Sequence, residues 1–310
     1  MLEIKGLCKF YNGECVLDNF EMKVGKGQIF GMIGSNGTGK STVIKILAGI
    51  ISPDQGRILI EGKPLLANIS LLKQTVGYIP EYVGIYENLT VKEYMEFFSA
   101  SYGLKGLKGR DRWETLLEWV GMTEHKNDFM ENLSRGMKQR VCLARVLIHD
   151  PKLLLMDEPV EGMDPVTRSV IKDILKRIRD EGKTTIISSH VLTEMTDLCT
   201  HIGIMDKGQM LVQGEQTEVF RQINISNPLH IIILEGVDQA IALLKRDASV
   251  QRISIEGSHI MIYFDGDEQD ESNLLSMLVD SGVRIQSFYR ESGNLESLYM
   301  KVTGERSGEI

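Results

Sequence analysis

The stretch Gly34-Ser35-Asn36-Gly37-Thr38-Gly39-Lys40-Ser41-Thr42 constrains this chain more than any other. It fits G-x-x-x-x-G-K-[ST], a loop whose backbone N–H groups wrap the phosphates of a nucleotide and whose glycines allow the φ > 0 turns and close approach this requires. Lys40 is placed to neutralise the β- and γ-phosphates as a point charge, and the Ser41 hydroxyl to ligate Mg²⁺. A side chain at Gly37 or Gly39 is expected to crowd the anion. The pattern carries this meaning only between a strand and a helix. Gln28 to Ile33 is a short apolar run suited to a buried parallel strand, and Ser41 to Ala48 reads as a helix closing at Gly49. The N-terminus of that helix adds partial positive charge at the phosphate site.

Lys152 to Pro159 is an apolar strand ending in two adjacent carboxylates, Asp157 and Glu158. A parallel strand buried on both faces delivers such acids to its C-terminal edge, where α/β sheets bind ligands. An acid there can hold Mg²⁺ as the second half of a phosphate-loop site; taken alone, the pair is equally a turn before Pro159. Thr184 to His190 is another strand with a polar terminus. His190 reads either as a satisfied structural histidine or, from its place at that edge, as a functional group. Tyr11, in the aromatic-turn stretch Phe10-Tyr11-Asn12-Gly13, is a surface turn residue or a face for an adenine ring. Glu131 to Arg140 opens a helix with Met137, Val141, Ala144 and Ile148 on one face and Ser134 as N-cap, by itself no more than a capped helix.

Around these motifs, Leu2 to Leu7, Glu14 to Val24, Ile58 to Ile60 and Thr75 to Ile79 read as strands. A helical pattern runs from Thr90 to about Leu147, broken by the glycine-rich stretch Gly103 to Gly109, and Asp164-Pro165 begins a helix through Arg179. With 310 residues, 42% of them hydrophobic, the chain has material for two domains or one large one. A formal net charge of −8 argues against a bulk nucleic-acid binder. From Asn224 onward 7 basic residues face 14 acidic ones, a net of −7, so most of the imbalance lies there. Cys8, Cys15, Cys142 and Cys199 lack C-x-x-C spacing, which suggests neither a zinc site nor a disulfide framework and fits a reducing cytosol. No run approaches the roughly 18 apolar residues of a membrane span, and the first ten residues lack a signal-peptide core. Any membrane work would need spans from a partner.

In order, these stretches resemble the ATP-binding subunit of an ABC transporter, from about Leu2 to Phe220. Tyr11 matches the adenine-stacking aromatic, and Gly34 to Thr42 the phosphate loop. Glu81 lies in the loop that normally carries glutamine, Leu133 to Met137 at the signature, and Leu153 to Asp157 at the Mg²⁺-associated strand. Glu158 matches the catalytic carboxylate, Asp164 the loop aspartate at the dimer seam, and His190 the switch histidine. Three positions depart from the pattern: Glu81 for glutamine, Arg135 for a signature glycine and Met137 for glutamine; similar variants occur in the bacterial drug- and lipid-exporting branch. The resemblance implies a phosphate-loop NTPase fold of class α/β, a RecA-like core with an antiparallel β subdomain and an inserted helical subdomain at about residues 84–148, within an ATP-binding domain of residues 1–222. It implies ATP and Mg²⁺ as cofactors. On the resemblance, Ser35, Asn36, Gly37, Thr38, Gly39, Lys40, Ser41 and Thr42 are expected to bind the phosphates. The resemblance likewise implies that Ser41, Glu81 and Asp157 serve the metal and that Glu158, His190 and Lys40 are the catalytic groups. It further implies a head-to-tail dimer in which Ser134 and Gly136 of one copy complete the site of the other, a separate multi-span membrane permease as partner, and a cytoplasmic place for this chain, peripheral on the cytoplasmic face of the cell membrane. Tyr82 to Leu89 are candidates for the permease contact or, on the plainer reading, packing under a loop.

Arg221 to Pro228 reads as a polar linker. Beyond it the order strand (230–234), helix (239–246), hairpin (250–255 and 260–264), helix (272–279), strand (284–289) suggests a small ferredoxin-like α+β domain over residues 228–310, with one extra helix at Asn294 to Thr303. Two other functions stay open at this point: a soluble ABC-type ATPase acting on ribosomes or DNA, disfavoured by the single ATPase half and the acidic charge, and a nucleotide-binding regulatory module with little turnover.

Overall fold

A computed structural model describes residues 1–82, 84, 86–160, 162–191, 195, 198–219 and 228–290. The chain divides into two compact units, Met1–Gln216 and Thr217–Ile310. The first opens with β1 (Leu2–Tyr11), β2 (Glu14–Val24), β3 (Ile29–Ile33), α1 (Lys40–Leu47), β4 (Gln55–Ile60), β5 (Lys63–Pro64), α2 (Ile69–Thr75) and β6 (Val76–Ile79). It continues with α3 (Val91–Ser101), α4 (Gly106–Trp119), α5 (Arg135–Leu147), β7 (Leu153–Asp157), α6 (Pro165–Asp180), β8 (Thr184–Ser189), β9 (His201–Asp206) and β10 (Gln209–Glu215).

Every residue of β3, β7 and β8 is buried, as strands covered on both faces must be. They are the centre of a six-stranded sheet of order β10-β9-β3-β8-β7-β6, parallel throughout except for the β9–β10 hairpin. A second sheet, β2-β1-β4-β5, is antiparallel. Between them, Val43, Ile44, Ile46 and Leu47 of α1 share one apolar core with Phe20 and Met22 of β2 and Leu153 and Leu155 of β7. At roughly 1.5–3 kcal/mol per large buried aliphatic side chain, this core pins the start of α1, and the loop before it, to the sheet edge.

The structure differs from the sequence expectation in several places; β4, for one, starts at Gln55, three residues before the expected strand, and Lys63-Pro64 forms the short β5. β1 runs through Phe10 and Tyr11 to pair Tyr11 with Glu14, so the turn is only Asn12-Gly13, at φ 51° and 87°. The helical run is interrupted a second time: Gly121 at φ 66° ends α4, and only the short 3₁₀ turns Thr123–His125 and Met130–Asn132 lead to α5. The first break is shorter than expected, since α4 begins at Gly106. α2, β9 and β10 carry no sequence expectation; α2 has seven residues, too few for its periodicity to register.

In the second unit β11 (Leu229–Glu235), α7 (Val237–Leu244), β12 (Val250–Glu256), β13 (His259–Phe264), α8 (Glu268–Asp280) and β14 (Arg284–Arg290) follow the expected β-α-β-β-α-β order. The sheet order is β12-β13-β11-β14, all antiparallel, which is the split β-α-β arrangement. Leu229, Ile231 and Ile233 alternate inward onto Leu244 of α7 and Leu274 and Leu278 of α8. The expected linker, apart from Pro228, and the expected last helix lie outside the described residues.

Candidate functional site

The C-terminal edges of β3, β7 and β8 deliver the polar side chains to one place. The phosphate loop leaves β3 at Gly34, where any side chain would meet Met205 O at 2.6 Å and Thr38 Oγ1 at 2.7 Å. Gly39 turns at φ 101° with Leu17 Cδ2 2.8 Å from where a Cβ would stand. Gly37 turns at φ 86° with no protein atom within 4 Å of where a Cβ would stand, so on the protein side its requirement is conformational. Thr38 is buried and donates its hydroxyl to Ser35 O at 3.0 Å, while Gly208, in the β9–β10 turn, donates its N–H to Thr38 O at 3.1 Å. The loop is thus braced by a hairpin that no motif announces.

Lys40, 5% exposed, donates to Gly34 O at 2.7 Å and Ser35 O at 3.0 Å, and its Nζ lies 3.8 Å from Glu158 Oε1. Burial pulls its pKa below the usual lysine value; Glu158 and Asp157 act in the opposite direction. The Ser41 hydroxyl donates to Asp157 Oδ1 at 3.0 Å, so the two halves of the expected site meet directly. Ser188, fully buried at the end of β8, also donates to Asp157 Oδ1, at 2.6 Å, and accepts the Glu158 N–H at 3.0 Å. Sequence reasoning missed Ser188 as a site residue; its only signal was the polar end of an otherwise apolar strand.

Glu158 occupies the left-handed region at φ 46°, costly for a residue with a Cβ, by about 1–3 kcal/mol. Its Oε2 accepts the His190 backbone N–H at 3.3 Å and lies 3.1 Å from His190 Nδ1. Tyr78, on β6 nearby, has its pKa pushed up to about 12 by burial and by the negative charge of Asp157 and Glu81.

Tyr11, Asn36, Gly37, Gly39, Lys40, Ser41, Thr42, Glu81, Glu158 and His190 line a single cleft of about 450 Å³, joined by Val16. Tyr11 is 42% exposed there, with Lys9 Nζ 5.5 Å from its ring centroid. Exposed Ser35 and buried Thr38 and Asp157 are not among the lining residues. Nor are Ser134 and Gly136. Ser134 is exposed and caps α5, accepting the Met137 N–H at 3.3 Å. Gly136 is buried against α6, where a Cβ would meet Thr167 Cγ2 at 2.3 Å.

A second concavity, of about 290 Å³, is lined by residues of α2, β6, α3 and α5, among them Tyr78, Phe98 and Arg145, and by His149 just beyond α5. Tyr102 stacks on His149 at 4.3 Å, and the Arg145 guanidinium lies 5.0 Å from the Phe98 ring centroid. Tyr86 packs edge-on to Phe97 at 5.6 Å. Of the expected contact stretch Tyr82 to Leu89, Val83 and Ile85 lie outside the described residues; Tyr82 and Tyr86 are 80% and 53% exposed.

A family model described as ABC transporter matches residues 17–161. The linearmycin resistance ATP-binding protein LnrL of Bacillus subtilis is 30% identical over 307 residues, covering 98% of each chain. Nod factor export ATP-binding protein I of Cupriavidus metallidurans is 29% identical over 307 residues, 98% of this chain and 97% of that one. A solved structure of the ATP binding subunit of an ABC transporter aligns 93% of its chain with 72% of this one, at 30% identity and a TM-score of 0.65.

Proposed function

We propose that this chain, which belongs to the ABC transporter family as an ATP-binding subunit, hydrolyses ATP as half of a head-to-tail homodimer and drives export through separate membrane subunits. The observation that supports this most is the convergence of the phosphate loop, Tyr11, Glu81, Glu158 and His190 on one cleft, with Asp157 bonded to Ser41.

In this reading the Tyr11 ring stacks on adenine, while the backbone of Ser35 to Thr42 and the Lys40 ammonium hold the phosphates. Glu158, with its N–H fixed by Ser188, orients or deprotonates the attacking water. His190, bonded to Glu158, reaches towards the γ-phosphate. The donors available to a metal, the Ser41 hydroxyl and the carboxylates of Asp157 and Glu81, are all oxygen and fit Mg²⁺. Bound there, Mg²⁺ supplies charge neutralisation at the β- and γ-phosphate oxygens. Ser134 and Gly136 sit outside their own chain's cleft and serve the ATP of the second copy. ATP then acts as a differential-affinity switch for closure, worth a few kcal/mol.

ABC ATPases work with membrane subunits and as dimers, and no helix among the described residues is long and apolar enough to cross a membrane. We assign the concavity at Phe98, Arg145 and His149, with the Tyr86 ring 6.4 Å from that of Phe98, to a permease segment on the cytoplasmic face, and Tyr82 to Leu89 to the same contact. Residues 1–222 form the ATP-binding domain, with its helical part at about 84–148, and 228–310 an accessory domain. The relatives named for Nod factor export and linearmycin resistance support export as the direction. Nucleic acid has no place in this reading, given the net charge of −8. Glu158→Gln protein loaded with Mg-ATP should elute as a dimer by light scattering and co-purify with a multi-span protein; a persistent monomer under both conditions would overturn the reading.

A further inference from the structure

We propose that Arg135 is a positioning residue that links the two ATP sites of the dimer by resting on the loop that follows Glu158. The inference depends on the dimer reading above, because only then do Ser134 and Glu158 of one chain serve different ATP molecules. Arg135 is the first residue of α5, exposed, between the Ser134 cap and buried Gly136. Its guanidinium lies against the backbone of Gly162. A Cβ on Gly162 would stand 2.8 Å from Arg135 Nη1 and 3.7 Å from Cζ, and Gly162 itself turns at φ 65°.

Among the described residues, no hydrogen bond or ion pair holds this guanidinium, so packing on Gly162 sets its place. The contact does not stand alone. Within the first turn of both helices, Gly136 packs on Thr167 so closely that a methyl group would not fit. Thr167 is in turn fixed by Asp164, which accepts its N–H at 2.9 Å and its hydroxyl at 2.6 Å. The starts of α5 and α6 therefore form one packed corner, with Arg135 as its outward arm. Gly162 lies four positions after Glu158 and two before Asp164. Glu158 has the strained φ of 46° that local support must maintain. A shift of the signature end as it engages the partner's ATP is then transmitted through Arg135 to the chain's own Glu158. A glycine, the residue the family pattern has at this position, offers no such arm.

The test is a double-mutant cycle on the full-length chain, reading steady-state ATP hydrolysis against ATP concentration. Arg135→Ala and Gly162→Ala should each lower kcat by about 10- to 100-fold, the size of effect expected from misplacing a reacting group. Half-saturating ATP should stay within about twofold, because neither residue touches the nucleotide of its own cleft. The Hill coefficient for ATP should fall toward one in both. The double variant should be no worse than the worse single one, since both remove the same contact. Arg135→Lys, which keeps the charge but not the planar face, should recover only part of kcat.

Additive effects in the cycle would overturn the coupling, as would a raised half-saturating ATP with unchanged kcat for Arg135→Ala, which would mean direct nucleotide contact. Wild-type protein that binds ATP yet shows no hydrolysis sensitive to Glu158→Gln would instead overturn the function on which this inference rests. The two failures are thus read from different variants.

Discussion

The two ends of the proposed ATP site are built in opposite ways. At the phosphate-loop end, Lys40, Asp157, Glu158 and Ser188 are buried and joined by hydrogen bonds to one another or to the loop backbone. At the signature end, Ser134 and Arg135 are exposed, and their support comes from one capping bond and from packing on Gly162. A polar group buried in a network gains electrostatic strength and keeps its geometry without a ligand. One left on the surface keeps its bonding capacity for something arriving from outside. In the proposed dimer, the contrast is that of a finished half-site and a donated one.

The sharpest way to break this contrast is to disable the finished half. Glu158→Gln should lower ATP hydrolysis by about 10²–10⁴-fold while leaving ATP binding intact, measured by phosphate release and by nucleotide titration. Equal loss of binding would place Glu158 in the fold rather than in the chemistry. Next in size, Lys40→Met should weaken ATP binding by about 10- to 100-fold, the value of a charge-assisted contact. Because burial lowers the Lys40 pKa, nucleotide affinity of the wild type should decline on the alkaline side before the ordinary lysine value is reached, whereas the Lys40→Met titration stays flat there.

The donated half is tested by mixing. Lys40→Met and Ser134→Arg chains should each be impaired alone, yet together restore up to about half the wild-type rate of a mixed dimer, since one of its two sites then has both parts whole. Absence of any recovery in subunit-exchanged material would mean that Ser134 acts within its own chain.

The smallest effect concerns the far end of the same helix. His149, just beyond α5, has its pKa lowered by burial, partly offset by its hydrogen bond to Val76 O at 3.1 Å. The unfolded chain then binds the proton more readily, so the stabilisation is complete above the ordinary value of 6.5 and is lost as pH falls from there towards the lowered folded value. Urea midpoints of the wild type should fall more between pH 7.5 and 5.5 than those of His149→Gln; parallel curves would remove His149 as the cause.

Much of this was legible in the sequence, for reasons that differ by residue. The phosphate loop, the β7 carboxylates and the β-α-β-β-α-β tail follow from local pattern, because backbone geometry and burial dictate their residue types directly. Ser188 was not legible as a site residue: a serine ending a strand looks the same whether it holds two acidic residues or nothing. The bracing of the loop by Gly208 was equally hidden, since its partner Thr38 is 170 positions away in the chain. Arg135 could be marked only as a departure from a pattern. Its contact with Gly162 exists only in three dimensions.

The left-handed backbone at Glu158 has a practical corollary for anyone redesigning this protein. Judged by conformational comfort alone, glycine, asparagine or aspartate is the better choice at that position, and a stability-guided substitution scheme would select one of them early. Each would shorten or delete the arm that reaches His190. The protein would come out hardier and idle, which makes this position a useful control for separating gains in robustness from losses in turnover.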